Sequence, residues 1–361
     1  MQNPFTTTYS RLPKYTYIST PQTAEIIENF SYPIPSEAVY KVTGLRGSGK
    51  TVILSRIIDE ISKDEGWLVY SLNPARDMLR QMAALLYGER MFKKEVDSRS
   101  FGVNASILGT GGGISYSSSI GDKYFDYGAE LKKMLKVVRD ANKKVLLCVD
   151  EVSKTKEMVM FSLEFGDWLI EGYPVYLVCT GLYENVLELG NTKNLTFFRR
   201  GTTIRTAPLN FVRMAEMYKN RLSVQPEIAQ EMSHITKGYA YAFQELGVMY
   251  FKKASDERLT DIIPMLKENL FSYSYEKIWE ELSQGDRQMV HLLTEKEEYT
   301  RREVMEAMGD RAGNYSVYRD RLLKKGLLSA RQGSISLYPP FFGEYVREYY
   351  PQAKEAEGTW G

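Results

Sequence analysis

Through the first half of the chain, short apolar runs alternate with stretches whose apolar residues recur at helical spacing. Ala38-Val39-Tyr40-Lys41-Val42-Thr43 reads as a β-rich run, and Val52-Ile53-Leu54-Ser55-Arg56-Ile57-Ile58 puts its apolar groups on one helical face. The alternation continues with a strand at 67–72, helices at 77–87 and 128–141, a strand at 143–149, a helix around 161–170, and strands at 174–181 and 203–207. A continuous apolar run such as Val145-Leu146-Leu147-Cys148-Val149 marks a strand buried on both faces. The series therefore predicts an α/β fold, a parallel sheet with helices on both faces. Residues 100–120 differ: Val103, Ala105 and Ile107 alternate with small or polar residues, and Ile114 and Tyr116 resume the alternation after Gly109-Thr110-Gly111-Gly112-Gly113. That pattern predicts a protruding hairpin, since no helix start follows the glycines to make them a phosphate cradle.

The second half changes character. Residues 211–265 read as helices, with Met214, Met217 and Tyr218 on one core-facing stripe. An amphipathic helix at 286–294 follows, and Thr300-Arg301-Arg302-Glu303 has the capping-box signature for a helix through Met308. Asn314 is placed to cap a third helix, 315–325, which stops at Gly326. Residues 327–330 and 334–338 flank Arg331-Gln332-Gly333 as a β-hairpin. Three helices followed by a hairpin make a winged helix-turn-helix, for which Val317, Leu322 and Leu327 are the expected core.

Charge adds little globally. The 361 residues carry a formal net charge of +1, so any basic surface must be local. No apolar stretch approaches the ~20 residues of a membrane span, and the polar start Met1-Gln2-Asn3-Pro4-Phe5 lacks the apolar core of a signal peptide. A cytoplasmic location is expected. The two cysteines, Cys148 and Cys179, both fall in apolar strands without CxxC spacing or nearby His, which favours reduced, buried thiols over a disulfide or metal site.

Chemistry is concentrated at the strand ends. Gly44-Leu45-Arg46-Gly47-Ser48-Gly49-Lys50-Thr51 fits GxxxxGK[ST] between a strand and a helix. Glycines let backbone N–H groups turn around phosphates, Lys50 reaches the β- and γ-oxygens, and the Thr51 hydroxyl suits Mg²⁺; Gly44, Arg46, Gly47, Ser48 and Gly49 complete the cradle. The strand at 143–149 ends in Asp150-Glu151, the Walker B arrangement: Asp150 for Mg²⁺, Glu151 to polarise the attacking water. Thr180 ends the next strand, either as a γ-phosphate sensor or as a cap for the helix that follows. Arg199 and Arg200 precede the last strand, either as an arginine finger reaching a neighbouring subunit or as partners of acids in their own chain. In the third C-terminal helix and the wing, Arg319, Arg321, Lys324, Lys325 and Arg331 face a single acid, Asp320. They form a DNA footprint or an ordinary solvated face.

In this order of parts the chain resembles the AAA+ ATPases related to the archaeal and eukaryotic origin-recognition initiators, and more closely bacterial ATP-binding proteins of that clade. The likeness is carried by Asn3-Pro4-Phe5, residues 44–51, Val149-Asp150-Glu151-Val152, Cys179-Thr180-Gly181-Leu182 and Leu195-Thr196-Phe197-Phe198-Arg199-Arg200. It implies a P-loop NTPase sheet, a helical lid and a C-terminal winged helix: an N-terminal segment 1–35, a nucleotide-binding domain 36–208, a lid 209–280, a winged helix 281–350 and a tail 351–361. It also implies ATP and Mg²⁺ as cofactors, double-stranded DNA as partner, and a homo-oligomer or protein partner. Where such lids commonly carry a second sensor arginine, Lys237-Gly238-Tyr239-Ala240-Tyr241 offers tyrosines and one lysine, which points to slow hydrolysis. The expected function is a slow ATPase whose nucleotide state controls DNA binding by the winged helix. The alternative is a signalling switch resembling the STAND class, whose winged helix docks on protein.

Overall fold

The structure is a computed structural model, and it describes residues 2–8, 12–93, 126–253 and 258–351. The hairpin expected at 100–120 lies outside the described residues. Five strands, β1 (Val39–Thr43), β2 (Trp67–Leu72), β3 (Lys144–Val149), β4 (Val175–Gly181) and β5 (Thr202–Arg205), form one sheet in the order β2-β3-β4-β1-β5. β2 pairs with β3, and β3 with β4, in parallel. The chain divides into two compact units: one of residues 1–25, 42–56 and 204–361, the other of 26–41 and 57–203. The segment 36–208, grouped by sequence as one nucleotide-binding domain, is thus shared between them.

In the unit of residues 26–41 and 57–203, strand register explains the two covered faces. Val145, Leu147 and Val149 lie opposite Val175, Leu177 and Cys179, and pack against helices Met78–Tyr87, Tyr127–Asp140 and Lys156–Ile170 through residues such as Met82, Leu131, Phe161 and Trp168. Because successive side chains alternate, Tyr176 faces the other way, where its ring meets Phe30 and Trp67 edge-on. Cys148 is opposite Val178 and Cys179 opposite Val149, so the two buried thiols project to opposite faces and cannot join. Burial pushes the Cys179 thiol up to about 12.

The other unit is mainly helical. Helices Phe211–Leu222, Pro226–Ile235, Ala240–Lys253 and Leu259–Leu270 enclose Met214, Tyr218, Phe243 and Leu246. The N-terminal segment is tied onto them: Phe5 stacks on Tyr218 at 5.5 Å, and the Thr6 N–H donates to Gln244 Oε1 at 3.1 Å. Beyond a π-turn, Phe271–Tyr275, come helices Glu276–Glu280, Gln284–Leu292, Arg301–Met308, Tyr315–Lys325 and Phe342–Tyr349. A three-stranded antiparallel sheet in the order β6-β8-β7 joins β6 (Tyr299–Thr300), β7 (Leu328–Arg331) and β8 (Ser334–Leu337). The expected capping box is present: Thr300 Oγ accepts from the Glu303 N–H at 3.3 Å while Glu303 Oε2 accepts from the Thr300 N–H at 2.7 Å. Asn314 occupies the cap position of Tyr315–Lys325 without a side-chain cap bond. Leu322 and Leu327 are core residues, but Val317 is 59% exposed and belongs to no core.

Candidate nucleotide site

β1 delivers the chain into the glycine loop, and helix Lys50–Ile61 leaves it. Gly47 and Gly49 have φ of 69° and 92°, conformations that a side chain would strain, and a Cβ at Gly47 would lie 2.3 Å from Tyr239 Oη. The loop carbonyls are held by Lys50 within the loop motif and by tyrosines outside it. Lys50 Nζ donates to the Gly44 and Leu45 carbonyls at 2.9 and 2.8 Å. Tyr239 Oη donates to the Arg46 carbonyl at 2.5 Å, and the Tyr241 N–H to the Gly47 carbonyl at 3.0 Å. A trans peptide points its N–H opposite its carbonyl, so the Tyr239 bond turns the Gly47 N–H away from that tyrosine. Ser48 Oγ is joined to Thr206 Oγ1 at 3.0 Å.

The loop is also embedded in the C-terminal part of its own unit. Leu45 is 6% exposed and shares a core with Leu327 and Leu328, and a Cβ at Gly326 would be in ordinary contact with it, at 3.7 Å. Arg46, expected in the cradle, turns its guanidinium to Glu281 at 2.7 Å. The Tyr338 hydroxyl donates to the Gly238 carbonyl at 3.0 Å, next to Tyr239. Nothing local in the sequence announces these contacts. Tyr239 and Glu281 were absent from the expected site residues.

In the other unit, Asp150, Glu151 and Thr180 come together. The buried Thr180 hydroxyl donates to Asp150 Oδ1 and accepts from the Glu151 N–H at 3.2 Å, while its carbonyl accepts from the Val152 N–H at 2.8 Å. Glu151 has φ of 55°, a left-handed backbone that costs a non-glycine residue on the order of 1–3 kcal/mol and is retained where surrounding bonds enforce it. Thr180 does not cap the next helix: Leu182 holds that position, with no side-chain cap bond. Arg199 and Arg200 end helix Thr196–Arg200, both exposed, and neither makes an ion pair among the described residues.

The basic C-terminal set separates into two groups. Asp286 is fully buried, with Arg321 Nη2 at 2.6 Å from its Oδ1 and Lys325 Nζ at 3.4 Å from its Oδ2. Arg321 also donates to Ser283 Oγ at 2.9 Å, and Lys325 to the Glu281 carbonyl at 3.2 Å. Lys325, expected on a DNA face, is therefore an internal strut, and Arg321, half-buried, is committed to the same acid. Arg319 is half-buried, Arg331 exposed, and Lys324 pairs with Asp320 at 2.6 Å.

Solved structures that the chain resembles over almost its full length include the following two. Against the Walker-type ATPase PABY2304 of Pyrococcus abyssi the TM-score is 0.61 at 10% identity, covering 92% of this chain and 96% of that one. Against the ORC2 protein of Aeropyrum pernix in its ADPNP–ADP complexes it is 0.55 at 12% identity, covering 91% and 92%. The fold matches the P-loop AAA+ fold of these structures. The model of a family described as "Domain of unknown function (DUF8462)" matches residues 272–346, and no curated protein matches the chain. β1, the glycine loop and helix Lys50–Ile61 follow one another in the order expected of a Walker A unit, and Asp150 and Glu151 directly follow β3. Among the described residues, no helix is long and apolar enough to cross a membrane, and no three His, Cys, Asp or Glu residues form a metal cluster.

Proposed function

We propose that this chain is an ATP-binding, slowly hydrolysing AAA+ protein whose nucleotide state sets the position of a C-terminal winged helix. The observation that carries the reading is the bond from Tyr239 Oη to the Arg46 carbonyl, which ties the phosphate loop to the helices that continue into the C-terminal module. The positive-φ glycines and Lys50 suit a triphosphate. The Thr51 hydroxyl in one unit, and separately the Asp150 carboxylate in the other, are each oxygen donors of the type that suits Mg²⁺, which is held largely by phosphates and water. The metal would supply charge neutralisation at the phosphates. Glu151 orients water, and Thr180 holds the acid pair in register.

The packing of Leu45 beside Gly326 and Leu327 favours the switch reading, in which the winged helix docks on its own nucleotide loop and is released or rearranged by ATP. Contact with double-stranded DNA is the second reading, supported by Arg319, Lys324 and Arg331 on one helix and its hairpin. Hydrogen exchange of 315–331 with and without ATP and Mg²⁺ tests the switch. Protection there should change with nucleotide in the parent and not in Lys50→Ala. Equal protection in all states would leave simple nucleotide binding without coupling.

A further inference from the structure

Lys41 is 4% exposed in the middle of β1, where its four neighbours in the strand are also buried. It makes no ion pair among the described residues. Its ammonium donates to the Phe198 carbonyl at 2.6 Å and lies 3.4 Å from the Arg199 carbonyl, with the Phe198 ring 5.2 Å away. An ammonium taken out of water without a carboxylate is costly, and burial lowers the Lys41 pKa below the usual lysine range. An apolar side chain of similar volume would fill the space without that cost, so the charge itself needs a reason.

The two carbonyls supply one. They belong to the last turn of helix Thr196–Arg200, where unsatisfied carbonyls collect and a cation is favoured, and they are the main-chain groups on either side of the Arg199 Cα and next to Arg200. The following residue, Gly201, crosses β1 so closely that a Cβ would lie 2.7 Å from Val39 Cγ1 and 3.0 Å from the Val39 carbonyl. Phe198 is fully buried on the inner side. Backbone and buried ring are clasped, while the two guanidinium groups extend outward.

We propose that Lys41 is a positioning residue that holds Arg199 and Arg200 in place for ATP hydrolysis. The inference rests on the arginine-finger reading of that pair. It makes Lys41 act through the arginines and not on the nucleotide.

The test is a double-mutant cycle on the full chain, with ATP binding and steady-state hydrolysis measured separately. Lys41→Met should keep ATP affinity and KM within about threefold and lower kcat on the order of 10- to 100-fold, as expected of a misplaced group. Combined with whichever of Arg199→Ala or Arg200→Ala is slower, it should cause no further loss, because residues acting as a unit are not additive. Parent-like kcat in Lys41→Met, or losses that add in full, would overturn the proposal. Should Lys41→Met not fold, Lys41→Gln, which keeps one donor for the Phe198 carbonyl, carries the same cycle. If both arginine variants turn over at the parent rate, the finger reading itself fails. If one is slow while the Lys41 variant is not, only the positioning role fails.

Discussion

The Tyr239 hydroxyl donates to the main-chain carbonyl of Arg46 and shares a second hydrogen bond, 2.6 Å long, with Ser274 Oγ. The phenol is fully buried, and burial raises its pKa well beyond the working range, so it remains a donor. One side chain thereby links the glycine loop, the helix Ala240–Lys253 that starts beside it, and the π-turn Phe271–Tyr275 that leads into the C-terminal helices.

Tyr239→Phe removes the donor and leaves the ring. Stability should fall by about 1 kcal/mol, the net worth of a typical hydrogen bond, as read by denaturant unfolding. The stabilisation conferred by ATP and Mg²⁺ in the same titration should shrink as well. Unchanged ligand stabilisation would mean that the loop tolerates loss of this tether.

Lys50→Ala should abolish ATP binding, because the cation proposed to reach the phosphates is lost. Glu151→Gln should retain binding and lower turnover by roughly 10²–10⁴-fold, the range for a lost general base. Calorimetric binding and phosphate release measure the two effects independently. A parent rate in Glu151→Gln would remove that residue from the mechanism.

Asp286→Ala leaves the inward charges of Arg321 and Lys325 uncompensated. Removing one partner from a buried ionic group costs about 3–5 kcal/mol, and chemical denaturation should show a loss of that size. A loss below about 1 kcal/mol, the value of an exposed pair, would mean that water reaches the cluster.

If Arg199 or Arg200 acts on a neighbouring subunit, turnover per subunit should rise with protein concentration as subunits associate. Sedimentation across the same range with ATP checks assembly. A flat rate from a species that stays monomeric favours action within one chain.

Arg319→Ala combined with Arg331→Ala should weaken duplex DNA binding and reduce its salt slope by about one unit per lost phosphate contact. Stability should change little, because Arg331 is exposed and Arg319 only half-buried, and surface charges contribute little. Leu322→Ala, at a fully buried position, should instead cost about 2–5 kcal/mol. Parent-like DNA binding by the double arginine variant at every salt concentration would leave the switch reading alone.

Local chemistry was legible in the sequence wherever it is decided locally. The glycine loop, the acid pair after β3, and the Thr300–Glu303 capping box all lie where residue types and spacing put them. The misreadings come from distant partners. Tyr315, Leu322 and Lys325 share the inward face of their helix at helical spacing, whereas Val317, two residues from Tyr315, falls on the opposite side despite being apolar. Lys325 and Arg321 read as a basic stripe because the acid that draws them inward, Asp286, is thirty-odd residues earlier in the chain. Lys41 left a faint signal, a charge inside an apolar strand, which gains meaning only when the Phe198 carbonyl is found above it.

The opposed thiols of Cys148 and Cys179 make the central sheet its own reporter. A thiol reagent can reach a buried cysteine only when the layer covering it opens, and here each layer guards one cysteine. Labelling of Cys179 clocks detachment of the layer built on Phe161 and Trp168, on whose side it lies, whereas labelling of Cys148 clocks exposure of the opposite face. Following the two modifications by mass spectrometry, with and without nucleotide, would give the order in which the faces of the sheet are laid bare, without introducing a single probe.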